Sequence, residues 1–184
     1  FPTPQFLADA RAILEQAGYV VDHYPPERVT VSFLRNLPTY GYDLILFQTH
    51  ATSEAVTQSG DRADAPPGPF LFTTEPYQEQ KHVRLQLEDQ VRASKLFHEG
   101  SPTLFAVGPA FVRRTMRGYF PDTIVIVGGC QSLAVDDLAE AFLERGAVAV
   151  VGWDDMVSLT HNNQAVLELL DAMLLRNLSP EEAV

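Results

Sequence analysis

The chain has one cysteine, Cys130, and five histidines, and one of these, His50, sits in a setting that matches the cysteine's. Cys130 closes the run Thr123-Ile124-Val125-Ile126-Val127-Gly128-Gly129-Cys130, and His50 closes Tyr42-Asp43-Leu44-Ile45-Leu46-Phe47-Gln48-Thr49-His50. Each run has a continuous apolar centre, the pattern of a strand covered on both faces. A thiol and an imidazole held at the ends of two such strands suit acyl transfer, with the imidazole as proton carrier and the sulfur as nucleophile. That chemistry also needs N–H donors aimed at a developing oxyanion. The Gly128-Gly129-Cys130 turn puts little bulk beside the sulfur and is expected to leave N–H groups available, with Gln131 and Ser132 as further polar donors.

Plainer roles fit the same residues. Cys130 can be a small apolar residue finishing a core strand, and His50 a strand cap bonded to a loop. A metal set of Cys130, His50 and His161 lacks close ligand spacing. His23, His82, His98 and His161 lie in polar stretches and are expected in solvent. The sequences G-x-S-x-G, G-x-G-x-x-G and the Walker A phosphate loop are absent, which removes the motif-based case for a serine hydrolase or a nucleotide site.

The elements that must hold these residues follow from periodicity. Phe6, Leu7, Ala10, Ile13, Leu14 and Ala17 recur at helical spacing over Pro4–Ala17, with Gly18 as a stop. Tyr19–Tyr24 reads as a short strand ended by Pro25-Pro26, and Val29–Asn36 as a helix or irregular connector. Residues 51–69 form a polar loop of a length that is usually functional or mobile. Strands are expected at Phe70–Thr74, Thr103–Val107 and Ala147–Val151. Helices are expected at Gln80–Val91, Ala110–Arg117, Leu138–Arg145 capped by Asp136-Asp137, and about Asn162–Arg176, with a further start at Ser179. Strands alternating with helices imply an α/β chain with a parallel, doubly wound sheet, whose ligand sites lie beyond the carboxyl ends of the strands. His50 and Cys130 both fall on that edge.

With 184 residues the chain suits one ordinary domain, and 46% hydrophobic residues exclude the disordered and fibrous classes. The formal charge of −11, with Lys and Arg scattered, opposes binding to nucleic acid or to an anionic membrane surface. No apolar run reaches the roughly 18 residues that span a bilayer. One cysteine excludes an internal disulfide. The start Phe1-Pro2-Thr3-Pro4, without Met or a basic leader, is expected of a fragment or processed product, which leaves localisation open.

The block Thr123–Ser132, then Leu138–Ala147, then Val150-Val151-Gly152-Trp153-Asp154, resembles the cysteine half of caspase-fold peptidases of the gingipain-like and CHAT-like branches. Tyr40–His50 resembles the family's histidine strand. Leu71–Tyr77, Phe105–Val112 and Ser179–Ala183 extend the resemblance, closest to an uncharacterised prokaryotic group, over roughly residues 5 to 184. It implies a single caspase-like domain, a three-layer αβα fold with a mostly parallel sheet, and a first core strand upstream of this chain. It implies Cys130 as nucleophile and His50 as proton carrier acting on a peptide or protein substrate, with no metal or organic cofactor. The oxyanion would be met by the Cys130 N–H and one from the turn after His50, so that Ala51, Thr52, Gly129 and Gln131 frame it. Asp154, Asp155 or Glu75 would line a substrate pocket, or else act as caps and surface charges. Two positions differ from the family pattern: Thr52 stands where a glycine is usual, and Gly128 where basic-specific branches carry an acid. These differences motivate a second reading, a weak or inactive caspase-like module that binds partners. A third is a small-molecule-binding domain of flavodoxin-like shape.

Overall fold

The structure, a computed structural model, describes residues 2–52, 68–96 and 100–184. The chain is mixed α/β and divides into two compact units, Phe1–Tyr24 with Met156–Val184, and Pro25–Asp155.

The first unit is helical. Helix α1 (Pro4–Gln16) starts where the sequence predicts: Pro4 occupies the first turn, and the Thr3 hydroxyl accepts the Phe6 N–H at 3.2 Å. It buries Phe6, Ala10 and Leu14 and packs against α6 (Leu159–Leu174), which buries Val166, Leu169, Leu170 and Met173. The Ser158 hydroxyl caps α6 through the His161 N–H at 3.2 Å, so that helix begins three residues earlier than its apolar spacing indicates. Helix α7 (Pro180–Ala183) opens with a capping box in which Ser179 and Glu182 satisfy one another's N–H groups. The strand expected at Tyr19–Tyr24 does not form. Among the described residues this unit holds no strand to pair with it, and Val20 is 92% exposed.

The second unit contains two sheets. Strands β1 (Leu44–Phe47), β6 (Ile124–Val127) and β7 (Ala149–Val151) form a parallel sheet in the order β1-β6-β7. Strands β2 (Ala51–Thr52), β3 (Phe70–Pro76), β4 (Val91–Lys95) and β5 (Thr103–Val107) form an antiparallel sheet in the order β2-β3-β5-β4. The expectation of one mostly parallel sheet is therefore corrected. Strands β4 and β5 are joined by residues 96–102, too few for the dozen or so that a parallel crossover needs, so they pair antiparallel.

Strand β4 replaces the end of the expected Gln80–Val91 helix, which shortens to α3 (Val83–Leu87). Helices α2 (Val31–Asn36), α4 (Pro109–Arg114) and α5 (Asp137–Glu144) complete the unit. Asp136 makes no side-chain cap on α5. Asp137 instead pairs with Arg113 at 2.6 Å, and Glu144 joins the same guanidinium at 2.8 Å, tying α5 to α4. The core joins both sheets: Ile45, Phe47, Val125 and Val127 from the parallel sheet meet Leu71, Phe105 and Val107 from the antiparallel one, with Phe111, Leu138 and Phe142 from α4 and α5. Phe142 lies against Phe47 and Phe120, ring centres 6.0 and 5.3 Å away.

Candidate functional site

Strands β1 and β6 pair in parallel with Phe47 opposite Val127, so His50 and Cys130 each follow the last paired residue by three positions. The Gly128 N–H continues the ladder onto the Phe47 carbonyl at 2.7 Å. One residue on, Gly129 lies so close to the histidine segment that a Cβ there would stand 2.7 Å from the Thr49 oxygen and 3.0 Å from the Ala51 nitrogen. The backbones flanking Cys130 and His50 are thus in contact, and glycine is required at 129 by lack of space rather than by an unusual φ. Cys130 is half-buried and His50 exposed.

His50 occupies the junction between the two sheets. The chain leaves β1, passes through Gln48-Thr49-His50 and enters β2 directly. Strand β3 fixes the junction: the Phe72 N–H donates to the His50 carbonyl at 2.9 Å, and the Thr49 hydroxyl donates to the Phe72 carbonyl at 2.9 Å. The His50 ring stands edge-on to the Phe72 ring, centres 6.1 Å apart. The turn expected after His50 is a strand instead, with Ala51 paired to Leu71 and Thr52 to Phe70. Residues 53–67 of the predicted 51–69 loop lie outside the described residues.

Beyond Cys130 the chain reverses. Gln131 takes φ +55°, and its N–H donates to the Asp155 carbonyl at 3.0 Å. The Leu133 N–H donates to the Trp153 carbonyl at 2.8 Å, so the Cys130 loop runs beside the loop that follows β7. Exposed Asp154 and Asp155 lie on that loop. Ser132 is not a donor to a ligand: it is fully buried, its hydroxyl accepts the Trp153 N–H at 3.1 Å and donates to the Val127 carbonyl at 3.4 Å. Nor is the turn's backbone as open as its glycines imply, because the N–H groups of Gly128, Gln131 and Ser132 are all taken up internally.

Glu75 has a different setting. It lies near the far end of β3, three residues past the Phe72 that pins His50, and is only 6% exposed. Its carboxylate accepts the Val31 N–H at 2.9 Å, at the start of α2, and meets Lys81 Nζ at 2.6 Å and His82 Nε2 at 2.8 Å. Burial alone would raise this carboxyl; the hydrogen bonds from Lys81, His82 and the Val31 N–H outweigh it and hold the group below the ordinary 4.5. His82 is therefore not the solvated residue its polar neighbourhood predicts, and its ring also packs edge-on against Phe105 at 5.0 Å. A carboxyl lowered on folding stabilises the native state fully above its unfolded pKa and loses that contribution as pH falls through the folded value. Acid unfolding followed from about pH 5 to pH 3 is thus expected to be shallower in Glu75→Gln than in the wild type. Equal pH slopes in the two proteins would contradict that role.

Among the described residues no three His, Cys, Asp or Glu side chains gather as a metal site, and no helix is long and apolar enough to cross a membrane. His161 is exposed on α6, and His98 lies outside the described residues. No protein-family model, curated protein sequence or solved structure matches this chain.

The sequence reading named Asp154 and Asp155 as pocket candidates but missed Thr49, Phe72 and the Trp153 carbonyl as supports of the site. The Trp153 contact had a signal in the parallel blocks, since a loop following a strand adjacent to the cysteine strand must pass that cysteine. Phe72 lies in the antiparallel sheet, which those blocks do not announce.

Proposed function

We propose that this chain is a cysteine endopeptidase-like domain of caspase-like fold, hydrolysing peptide bonds with a Cys130/His50 dyad. The observation that carries the reading is the parallel register of β1 and β6, with Gly129 pressed against the Thr49–Ala51 backbone. Neighbouring strands lie about 4.8 Å apart, so residues at equal distances past a paired position start from adjacent backbones. In the proposed reaction Cys130 sulfur attacks the scissile carbonyl and its proton passes to His50. The resulting imidazolium returns a proton to the leaving amine, leaving a thioester on Cys130. Water, deprotonated by His50, then cleaves the thioester and restores the thiol. The Cys130 N–H is the oxyanion donor that the family resemblance assigns, and the exposed Asp154 and Asp155, on the loop beside Gln131, are the candidate pocket acids next to it.

One observation favours the second reading, a weak or inactive module of the same fold. The residues after His50 are paired in a strand rather than shaped as an oxyanion turn, and three N–H groups around Cys130 are already bonded. Peptide-library digestion by the wild-type chain, read by mass spectrometry, separates the two. Reproducible cleavage products support the peptidase. Their absence, together with iodoacetamide alkylation of Cys130 no faster than free cysteine from about pH 6 to pH 9, overturns it, because an imidazole partner raises the thiolate fraction at neutral pH.

A further inference from the structure

The Lys and Arg residues are scattered along the sequence, yet the fold gathers four of the arginines. A cavity of about 650 Å³ in the Pro25–Asp155 unit is lined by Arg35, Arg84, Arg114 and Arg117, with Thr115 and Glu88 among its other walls. It lies away from the Cys130 edge. Arg35 is at the end of the helix that leads into β1, and Arg114 and Arg117 are at the end of the helix that leads towards β6. Both therefore sit on the amino side of the parallel strands, whereas His50 and Cys130 follow their carboxyl ends.

The walls are fixed by backbone. The Arg117 N–H donates to the Arg35 carbonyl at 2.7 Å, joining the ends of α2 and α4, and the Thr115 hydroxyl is held by Gln90. Carboxylates do not match the cations. Glu88, the one acid in the lining, is bonded to Arg84 at 2.7 Å. Among the described residues the Arg117 guanidinium reaches the Asn36 amide oxygen, at 3.4 Å, and no carboxylate. Arg35 Nε is fully enclosed and has no hydrogen-bond partner among the described residues. By contrast Arg113 is paired with Asp137 and Glu144 and Arg92 with Asp89, while Arg145 donates to the Met116 and Gly118 carbonyls. In a protein of net charge −11, Arg35, Arg114 and Arg117 line one cavity with no carboxylate in ion-pair contact among the described residues. Glu88, the one acid whose charge reaches Arg114, is already bonded to Arg84, so the field is locally reversed.

We propose that this cavity binds a small phosphate-bearing anion. Its volume falls in the roughly 300–1,000 Å³ range of small-molecule sites. The cations lining it are arginines, whose planar forks match phosphoryl oxygens two at a time where lysine offers only a point charge. Several converging guanidinium groups also suit a group carrying more than one negative charge. The proposal is independent of any chemistry at Cys130.

The test is calorimetric titration with inorganic pyrophosphate, and in parallel with citrate, at matched ionic strength. The expected result is saturable one-to-one binding of pyrophosphate, with citrate at least about tenfold weaker. Arg114→Gln, at an exposed position, is expected to weaken binding at least about tenfold, a typical loss for one charge-assisted bond, with thermal unfolding unchanged from the wild type. Arg113→Gln, one residue away but outside the cavity, is expected to leave it unchanged. Absence of saturable binding overturns the proposal. So does equal weakening by Arg113→Gln and Arg114→Gln, which marks diffuse charge attraction, or citrate binding as tightly as pyrophosphate, which marks a carboxylate site.

Discussion

Replacing Cys130 by alanine is expected to lower peptide hydrolysis by at least about 10³-fold while leaving the folded chain intact. Removing the nucleophile of a covalent mechanism eliminates the thioester route altogether, and what survives is the small acceleration that binding and oxyanion contacts supply on their own. The structural cost is small by comparison. Cys130 is half-buried and follows β6 rather than lying within it, so deleting its sulfur creates no enclosed core cavity. The variant's thermal unfolding is expected to lie within a few degrees of the wild type. This contrast separates the two roles open to a lone cysteine. A core filler would show its loss as instability with no change in chemistry, and a nucleophile the reverse. His50→Ala belongs in the same series, because removing either member of a cooperating pair costs nearly as much as removing both. If Cys130→Ala retains the wild-type cleavage pattern at wild-type rate, the dyad is excluded.

Gly129→Val is expected to have the second largest effect, through structure rather than chemistry. Its first side-chain carbon would be placed 2.7 Å from the Thr49 oxygen and 3.0 Å from both the Ala51 nitrogen and its Cβ. Two of these three contacts are backbone atoms, and the segment that carries them is held by the Thr49 hydroxyl and His50 carbonyl bonds to Phe72. The crowding cannot be relieved by turning a flexible side chain. Either β1 and β6 part at their carboxyl ends or the His50 junction moves off β3. Overpacking of this kind costs about 1–3 kcal/mol, measurable as a shift in the denaturant midpoint. A displacement of about 1 Å between reacting groups costs on the order of 10²-fold in rate. The variant is therefore expected to lose both stability and any hydrolytic activity, with Gly129→Ala showing a weaker form of the same defect. Wild-type stability and Cys130 reactivity in Gly129→Val would show that the two segments are not in contact.

The elements legible in the sequence were those whose signals are local. The Thr3-Pro4 start of α1, the Ser179 capping box and the apolar runs of β1 and β6 each rest on residues within a turn or a strand of one another. Strand β4 was not expected: its first residue, Val91, was read as the end of a helix, and the charged Arg92 and Lys95 break the apolar pattern of a strand. Its Arg92 is nonetheless buried, since Asp89 binds the guanidinium at 2.7 Å and the Phe70 ring lies 4.0 Å beneath it. A charge can enter a strand when partners from elsewhere meet it, and those partners are invisible to periodicity. Glu75 shows the same limit. As a sequence position it was a candidate pocket acid, whereas the fold commits it to the α2 terminus, Lys81 and His82.

The sequence by itself determined that Cys130 and His50 each follow a buried strand, because strand length and hydrophobic continuity are properties of the residues in order. Only the tertiary structure decided that these two strands are neighbours in parallel register, that β2 takes the place of a turn after His50, and that four dispersed arginines share one cavity. The physical reason is range. Propensity, capping and periodicity act over a few residues, but pairing and charge clustering join positions some 80 residues apart, as with Phe47 and Val127 or Arg35 and Arg117, and are chosen by what the whole core can bury.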